Sequence, residues 1–228
     1  MNTVFVSHVR TTLALHQLRE RDAASASGPL LLLHGLGEHT PSDLGDFGGL
    51  LDIWSGPIWG VDFTGHGASS IPRGGGYTAE TLMADTDQAL AHLADQGAVT
   101  LLGRGIGSYV ALLIAGARPE LVNGVILTDG PGLAGGGPAP HSSSVIRAVV
   151  PEEADARTPD PYALLELARD IRPADYATAF ARQAVEFSSI DQPVAVAAVA
   201  RPPWLEAVAE VPGVVTETVE AALERFAR

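Results

Sequence analysis

Two kinds of apolar pattern divide this chain. Thr3–Val9 and Thr12–Leu18 alternate apolar and polar residues on either side of Arg10-Thr11, the period of two that predicts an antiparallel hairpin. Further along, the apolar residues come in short continuous runs: Leu30–Leu33, Ile58–Val61, Val99–Leu102, Val122–Leu127, Val194–Val199 and Val214–Thr216. Such runs predict strands buried on both faces. Between them the spacing turns helical. Thr78–Gln96 carries Leu82, Leu90 and Leu93 behind a capping Thr78 and ahead of Gly97. Asp160-Pro161 and Pro173 open two more helices, lined by Leu164, Ala168 and Ile171 and by Tyr176, Phe180, Ala184 and Phe187. Pro41–Trp54 reads as a helix interrupted by glycines, and Trp204–Glu210 and Val219–Phe226 as closing helices. Strands alternating with helices predict an α/β protein with a mostly parallel, eight-stranded sheet covered on both faces.

Length and composition fit one domain over residues 1–228: 46% of the residues are apolar, and no polar or low-complexity linker divides the chain. The formal charge of −13 argues against nucleic acid and anionic membranes as partners, because both require clustered cations. There is no cysteine, and all 14 basic residues are arginines. Thiolate and Schiff-base chemistry are thereby excluded, which leaves hydroxyls, carboxylates and histidine. Neither a signal sequence nor an apolar run of membrane-spanning length is present, so a cytoplasmic location is expected. His34 and His39 stand five apart on a predicted loop, which is no zinc motif, and no cofactor is called for.

The most informative stretch is Val99–Ala117. A short apolar run passes into Gly103-Arg104-Gly105-Ile106-Gly107 and then directly into an apolar helix. Glycines two residues to either side of position 105 are what a strand–turn–helix elbow needs, because the turn leaves no room for larger side chains. Upstream, Leu30–Leu33 ends in His34-Gly35-Leu36-Gly37-Glu38-His39, and Ile58–Val61 ends in Asp62-Phe63-Thr64-Gly65-His66-Gly67-Ala68-Ser69.

Together these motifs resemble the α/β-hydrolase superfamily, in its esterase, monoacylglycerol-lipase and serine-aminopeptidase-like branch. The resemblance covers nearly the whole chain. It implies the α/β-hydrolase fold, a short helical lid over residues 133–192, a nucleophilic serine at position 105 and an oxyanion loop at HGLGEH. The pocket would then be built from His34, Gly35, Leu36, Arg104, Gly105 and Ile106, with the amides of Leu36 and Ile106 aimed at one oxyanion position. His34 and His66 also have structural readings, as loop-bonding residues, and Asp62 and Ser69 read as turn residues. The family's acid would follow the seventh strand and its histidine the eighth. This sequence has Gly105 at the nucleophile position, Arg201-Pro202-Pro203 after the seventh strand, and no histidine after His141.

Asp129, at the end of a strand, is a weak substitute acid or a turn cap, and Ser108 a weak substitute nucleophile or a packing residue. Three classes of function follow. The first is a catalytically degenerate hydrolase-fold protein, which binds a small, partly apolar molecule or a protein partner in a pocket beneath residues 133–192. The second is an enzyme of hydrolase, lyase or cofactor-free oxygenase chemistry that draws on His34, His39, His66, His141, Asp129, Arg104 or Arg201. The third is a stability or assembly role. The sequence leaves the oligomeric state open.

Overall fold

A computed structural model describes residues 2–8, 10–21, 26–42, 47, 49–139 and 158–227. One eight-stranded sheet runs through it in the order β1-β2-β4-β3-β5-β6-β7-β8. The strands are β1 (Asn2–His8), β2 (Thr11–Arg19), β3 (Leu30–Leu33), β4 (Ile58–Val61), β5 (Val99–Arg104), β6 (Val122–Thr128), β7 (Val194–Val196) and β8 (Val214–Thr216). The period-two hairpin β1–β2 is antiparallel and joins β4 antiparallel, whereas every pairing from β4 to β8 is parallel. Leucines 30 to 33 show why the central runs are wholly apolar. Leu31 and Leu33 enter the core on one side of the sheet, Leu30 and Leu32 the core on the other.

The larger core lies under α1 (Ala79–Leu93), α2 (Ile106–Ala117), α4 (Ala174–Phe187) and α5 (Pro203–Ala209). The smaller lies under α6 (Val219–Phe226) and a short 3-10 turn at Leu50–Ile53. That turn is the described helical part of the predicted Pro41–Trp54 helix, of which residues 43–46 and 48 lie outside the described residues. Capping follows the sequence reading. Thr78 Oγ1 accepts the Thr81 amide, and Asp160 caps α3 (Pro161–Arg169), with Pro161 in its first turn.

The apolar faces of α3 and α4 match expectation at Leu164, Ala168, Phe180 and Ala184, which pack in or against the core, and differ at Ile171, Tyr176 and Phe187. α3 buries Ala163 and Leu167, and Ile171, placed on its line by the sequence reading, lies beyond its end and is exposed. α4 buries Ala177, Ala181 and Ala184 and leaves Tyr176 and Phe187 exposed. Close approach explains this: a Cβ on Gly116 of α2 would stand 2.5 Å from the Phe180 carbonyl oxygen, so the two helices meet there through small residues and backbone; Phe180 still packs partly buried against the core, and Tyr176 and Phe187 turn outward. Of the stretch 133–192 read as a lid, α4 thus sits in the helix layer against α2 and α5. Residues 140–157, with His141 among them, lie outside the described residues.

Candidate functional site

Gly105 forms the turn between β5 and α2 at φ 58° and ψ −121°, a left-handed conformation that costs other residues of order 1–3 kcal/mol. Gly103 and Gly107 are pressed against backbone: a Cβ on Gly103 would lie 2.5 Å from the Gly107 carbonyl oxygen, and one on Gly107 would run into the Leu33 carbonyl. The predicted elbow is therefore present. At its centre it carries no side chain.

The oxyanion position is also formed, and it is filled. The amides of Leu36 and Ile106 converge on a single oxygen, each at 3.0 Å, and that oxygen is the carbonyl of Pro131. Two N–H groups held rigidly on one point are the arrangement that stabilises a developing oxyanion. Here the chain's own backbone occupies the point where a substrate carbonyl would sit. A Cβ on Gly105 would overlap the Pro131 oxygen and lie 2.7 Å from the Gly130 carbonyl carbon.

The strap responsible, Asp129–Leu133, is anchored along its length. Asp129 accepts the Val199 amide at 2.7 Å on Oδ2 and the Ala200 amide at 2.8 Å on Oδ1, which ties the end of β6 to the loop after β7. Trp204 Nε1 donates to the Leu133 carbonyl at 2.9 Å, and Arg172 Nη1 donates to the carbonyls of Gly132 and Leu133. Arg172 is fully buried, with its guanidinium 4.9 Å from the Tyr109 ring centre, and burial lowers its pKa to about 10. Nothing in the sequence pattern marks Arg172 or the direction of the Pro131 carbonyl. The local sequence, Asp129-Gly130-Pro131-Gly132, has turn composition and no more.

The other candidates have structural partners. The Ser108 hydroxyl, wholly buried, lies 2.8 Å from the Gly103 carbonyl and 2.9 Å from that of Thr128, and accepts the Thr128 amide at 2.9 Å. His34 bonds the Gly35 carbonyl through Nδ1 at 2.8 Å and accepts the Phe63 amide on Nε2 at 3.0 Å. His66 bonds the Thr64 carbonyl and accepts the Gly37 amide. Burial lowers the pKa of His34 to about 4 and that of His66 to about 3, so both rings are neutral, with both nitrogens engaged.

Asp62 accepts the amides of Thr40 and Ala68 and the Nε2 of His16, and Ser69 links Asp62 to β2. Burial opposes the Asp62 charge, but these three donors outweigh it and hold the carboxyl far below the usual carboxylate range. His39 and Arg201 are exposed, and Arg201 donates to the Ala198 carbonyl. No two of these candidates form a nucleophile–base pair among the described residues.

A cleft of about 830 Å³ opens on the other side of Arg104. Leu32, Leu102, Phe47, Leu50, Ala197 and Val219 give it apolar walls, and Glu38, His39, Arg104 and Asp129 stand along its polar part. Arg104 Nε lies 3.0 Å from both Glu38 carboxylate oxygens, and its Nη1 donates to the Asp129 carbonyl. The cleft's lining among the described residues includes none from 133–192 and neither Gly105 nor Ile106. Of the residues expected to form the pocket, His34 and Arg104 line it, and the elbow and hole lie beside it.

Among the described residues no helix is long and apolar enough to cross a membrane. Uncharacterised proteins of Mycobacterium tuberculosis and Mycobacterium bovis are 30% identical over 120 residues, which is 52% of this chain and 34% of theirs. The match thus spans about a third of the length of those relatives. A hypothetical protein of Pseudomonas aeruginosa PAO1 shares the fold at TM-score 0.63 and 18% identity, over 100% of this chain and 97% of that one. A structure from work on carboxylesterases of the thaumarchaeon Nitrososphaera gargenis aligns at TM-score 0.61 and 16% identity, over 97% of this chain and 93% of that one. The profile of the alpha/beta hydrolase fold matches residues 28–172. With the sheet order, the elbow and the converging amides already in place, the chain belongs to the alpha/beta hydrolase fold family.

Proposed function

We propose that this α/β-hydrolase-fold protein, related in fold to esterases, is a pseudoenzyme of the cytoplasm that binds a small, partly apolar molecule and does not hydrolyse it. One observation carries the reading: the Pro131 carbonyl takes both oxyanion amides while the neighbouring cleft stays open. A substrate carbonyl has no donor left at the elbow, and residue 105 has no hydroxyl to attack it. A volume of about 830 Å³ is within the range of small-molecule sites, and its apolar walls with a few polar groups have the composition of such sites. The ligand therefore belongs in the cleft beside Arg104, whose lining among the described residues includes none from 133–192.

The test pairs binding with turnover. Wild type and Ala197→Phe, which fills the cleft, are screened by thermal shift against small apolar metabolites and assayed on short- and medium-chain p-nitrophenyl esters. The expected result is a ligand that at about 100 Kd stabilises wild type by about 2.7 kcal/mol, binds Ala197→Phe at least tenfold more weakly (about 1.4 kcal/mol), and is accompanied by no hydrolysis above the buffer blank. Wild-type hydrolysis that Ser108→Ala abolishes would overturn the proposal.

A further inference from the structure

The polar wall of the open cleft is selective, because most of its hydrogen-bonding capacity is already committed inside the protein. Its charged side chains are the Arg104 guanidinium and the carboxylates of Glu38 and Asp129, and exposed His39 stands with them. Both Glu38 oxygens receive Arg104 Nε at 3.0 Å, and Oε2 also receives the Gly35 amide at 2.9 Å. Asp129 receives one backbone amide on each oxygen, at 2.7 and 2.8 Å, so each oxygen keeps a lone pair. Arg104 uses Nε on Glu38 and Nη1 on the Asp129 carbonyl at 3.3 Å. Its Nη2 has no hydrogen-bond partner among the described residues, and the side chain is half-exposed. The wall thus offers an unengaged donor on Arg104 and remaining acceptor capacity on Asp129, two residues joined to one another by the Nη1 hydrogen bond.

We infer, resting on the binding reading above, that the cleft takes an uncharged amphiphile with a primary carboxamide head. Its carbonyl accepts from Arg104 Nη2, its N–H donates to the Asp129 carboxylate, and its alkyl tail lies along Leu32, Leu102, Ala197 and Val219. Charge decides against the alternatives. A carboxylate head also accepts from Arg104, but it brings a further negative charge against two carboxylates and one guanidinium that Glu38 already neutralises. An ammonium head donates to Asp129 but has no acceptor for Nη2, stands beside the guanidinium, and loses more hydration in an apolar-walled cleft than a neutral head does. Of the three, the amide alone supplies an acceptor and donors without charge.

Octanamide, octanoate and octylamine share one chain length and differ at the head. Each is titrated calorimetrically into wild type, Ala197→Phe, Arg104→Lys and Glu38→Gln. Octanamide is expected to bind wild type about tenfold more tightly than either charged homologue. It loses about tenfold in Ala197→Phe, which fills the apolar part, and in Arg104→Lys, which keeps a cation for Glu38 and removes the second guanidinium nitrogen. Glu38→Gln keeps an acceptor for the Gly35 amide and removes one negative charge. Octanoate gains about tenfold in that variant, a gain that a damaged fold cannot imitate. Octanoate or octylamine binding wild type as tightly as octanamide overturns the inference, as does undiminished octanamide binding in Ala197→Phe or Arg104→Lys, or no gain for octanoate in Glu38→Gln. Binding of none of the three by wild type overturns it too, and the binding reading falls with it only if the thermal-shift screen of apolar metabolites is also blank.

Discussion

The two sides of Arg104 have gone opposite ways. On the elbow side every group that would handle a carbonyl substrate is engaged by the chain itself, with the amides of Leu36 and Ile106 on the Pro131 oxygen and Ser108 on backbone. On the other side a cleft with apolar walls remains open. Both sides hang from the same strand ends, so the fold does not require either one to be closed. What distinguishes them is the strap from Asp129 to Leu133: Asp129 at its start lines the cleft, and the carbonyl of Pro131 further along closes the elbow. The contrast separates two functions that usually coincide in this fold, recognition volume and carbonyl chemistry.

Putting a serine back at position 105 is the most direct way to break this contrast, and the structure predicts that the attempt fails. The new side chain meets the Pro131 and Gly130 backbone and takes a left-handed conformation that glycine alone tolerates freely. Strain and overpacking together cost about 4 kcal/mol. A loss of roughly 8–16 °C in Tm is expected, with no esterase activity on p-nitrophenyl acetate. A Gly105→Ser variant of wild-type Tm would show that the strap yields at little cost, and the two sides of Arg104 would then differ only in occupancy.

The next effect sharpens the elbow side from beneath. His34 and His66 are buried and neutral, with pKa values lowered to about 4 and about 3, whereas in the unfolded chain both titrate near the ordinary value of about 6.5. The unfolded state therefore binds more protons as pH drops below that value. Stability is complete above about pH 6.5 and is lost progressively as pH falls towards about 4, by roughly 2.5 kcal/mol for each of the two rings at pH 4.5. Urea unfolding at pH 7, 5.5 and 4.5 measures it. A flat profile would mean that the oxyanion loop is not held by these neutral rings.

Much of this was legible in the sequence, for physical reasons that differ by region. The four leucines of β3 could be placed because burial on two faces leaves no polar position, and the elbow because three closely spaced glycines have few other uses. Asp62 and Ser69 proved to be turn residues, as their pattern suggested. The strap was not legible, since a carbonyl's direction depends on backbone angles and every residue has a carbonyl. Arg172 carries no mark in the sequence, since only the fold buries it under the strap. The aromatic line of α4 misled in part, for the opposite reason: Phe180 packs against the core, but the close helix contact selects alanine and leaves Tyr176 and Phe187 exposed.

The smallest effect asks how the strap is held. Trp204 Nε1 is one of two donors on the Leu133 carbonyl, the other being Arg172 Nη1. Trp204→Phe keeps most of the buried ring and deletes that single hydrogen bond, for a net loss of about 1 kcal/mol, or roughly 2–4 °C in Tm. The informative readout is local. The amides of Leu36 and Ile106 have the Pro131 oxygen as acceptor, so their hydrogen exchange reports how often the strap lifts. If the strap moves as one unit from Asp129 to Leu133, loosening its far end raises that exchange by about fivefold, in step with the loss of about 1 kcal/mol. Unchanged exchange at Leu36 and Ile106, with the Tm lowered as expected, would show that the turn around Pro131 closes the elbow by itself and that Trp204 only fastens the chain beyond it. In that case the closed side of Arg104 would be closed locally, by four residues of backbone.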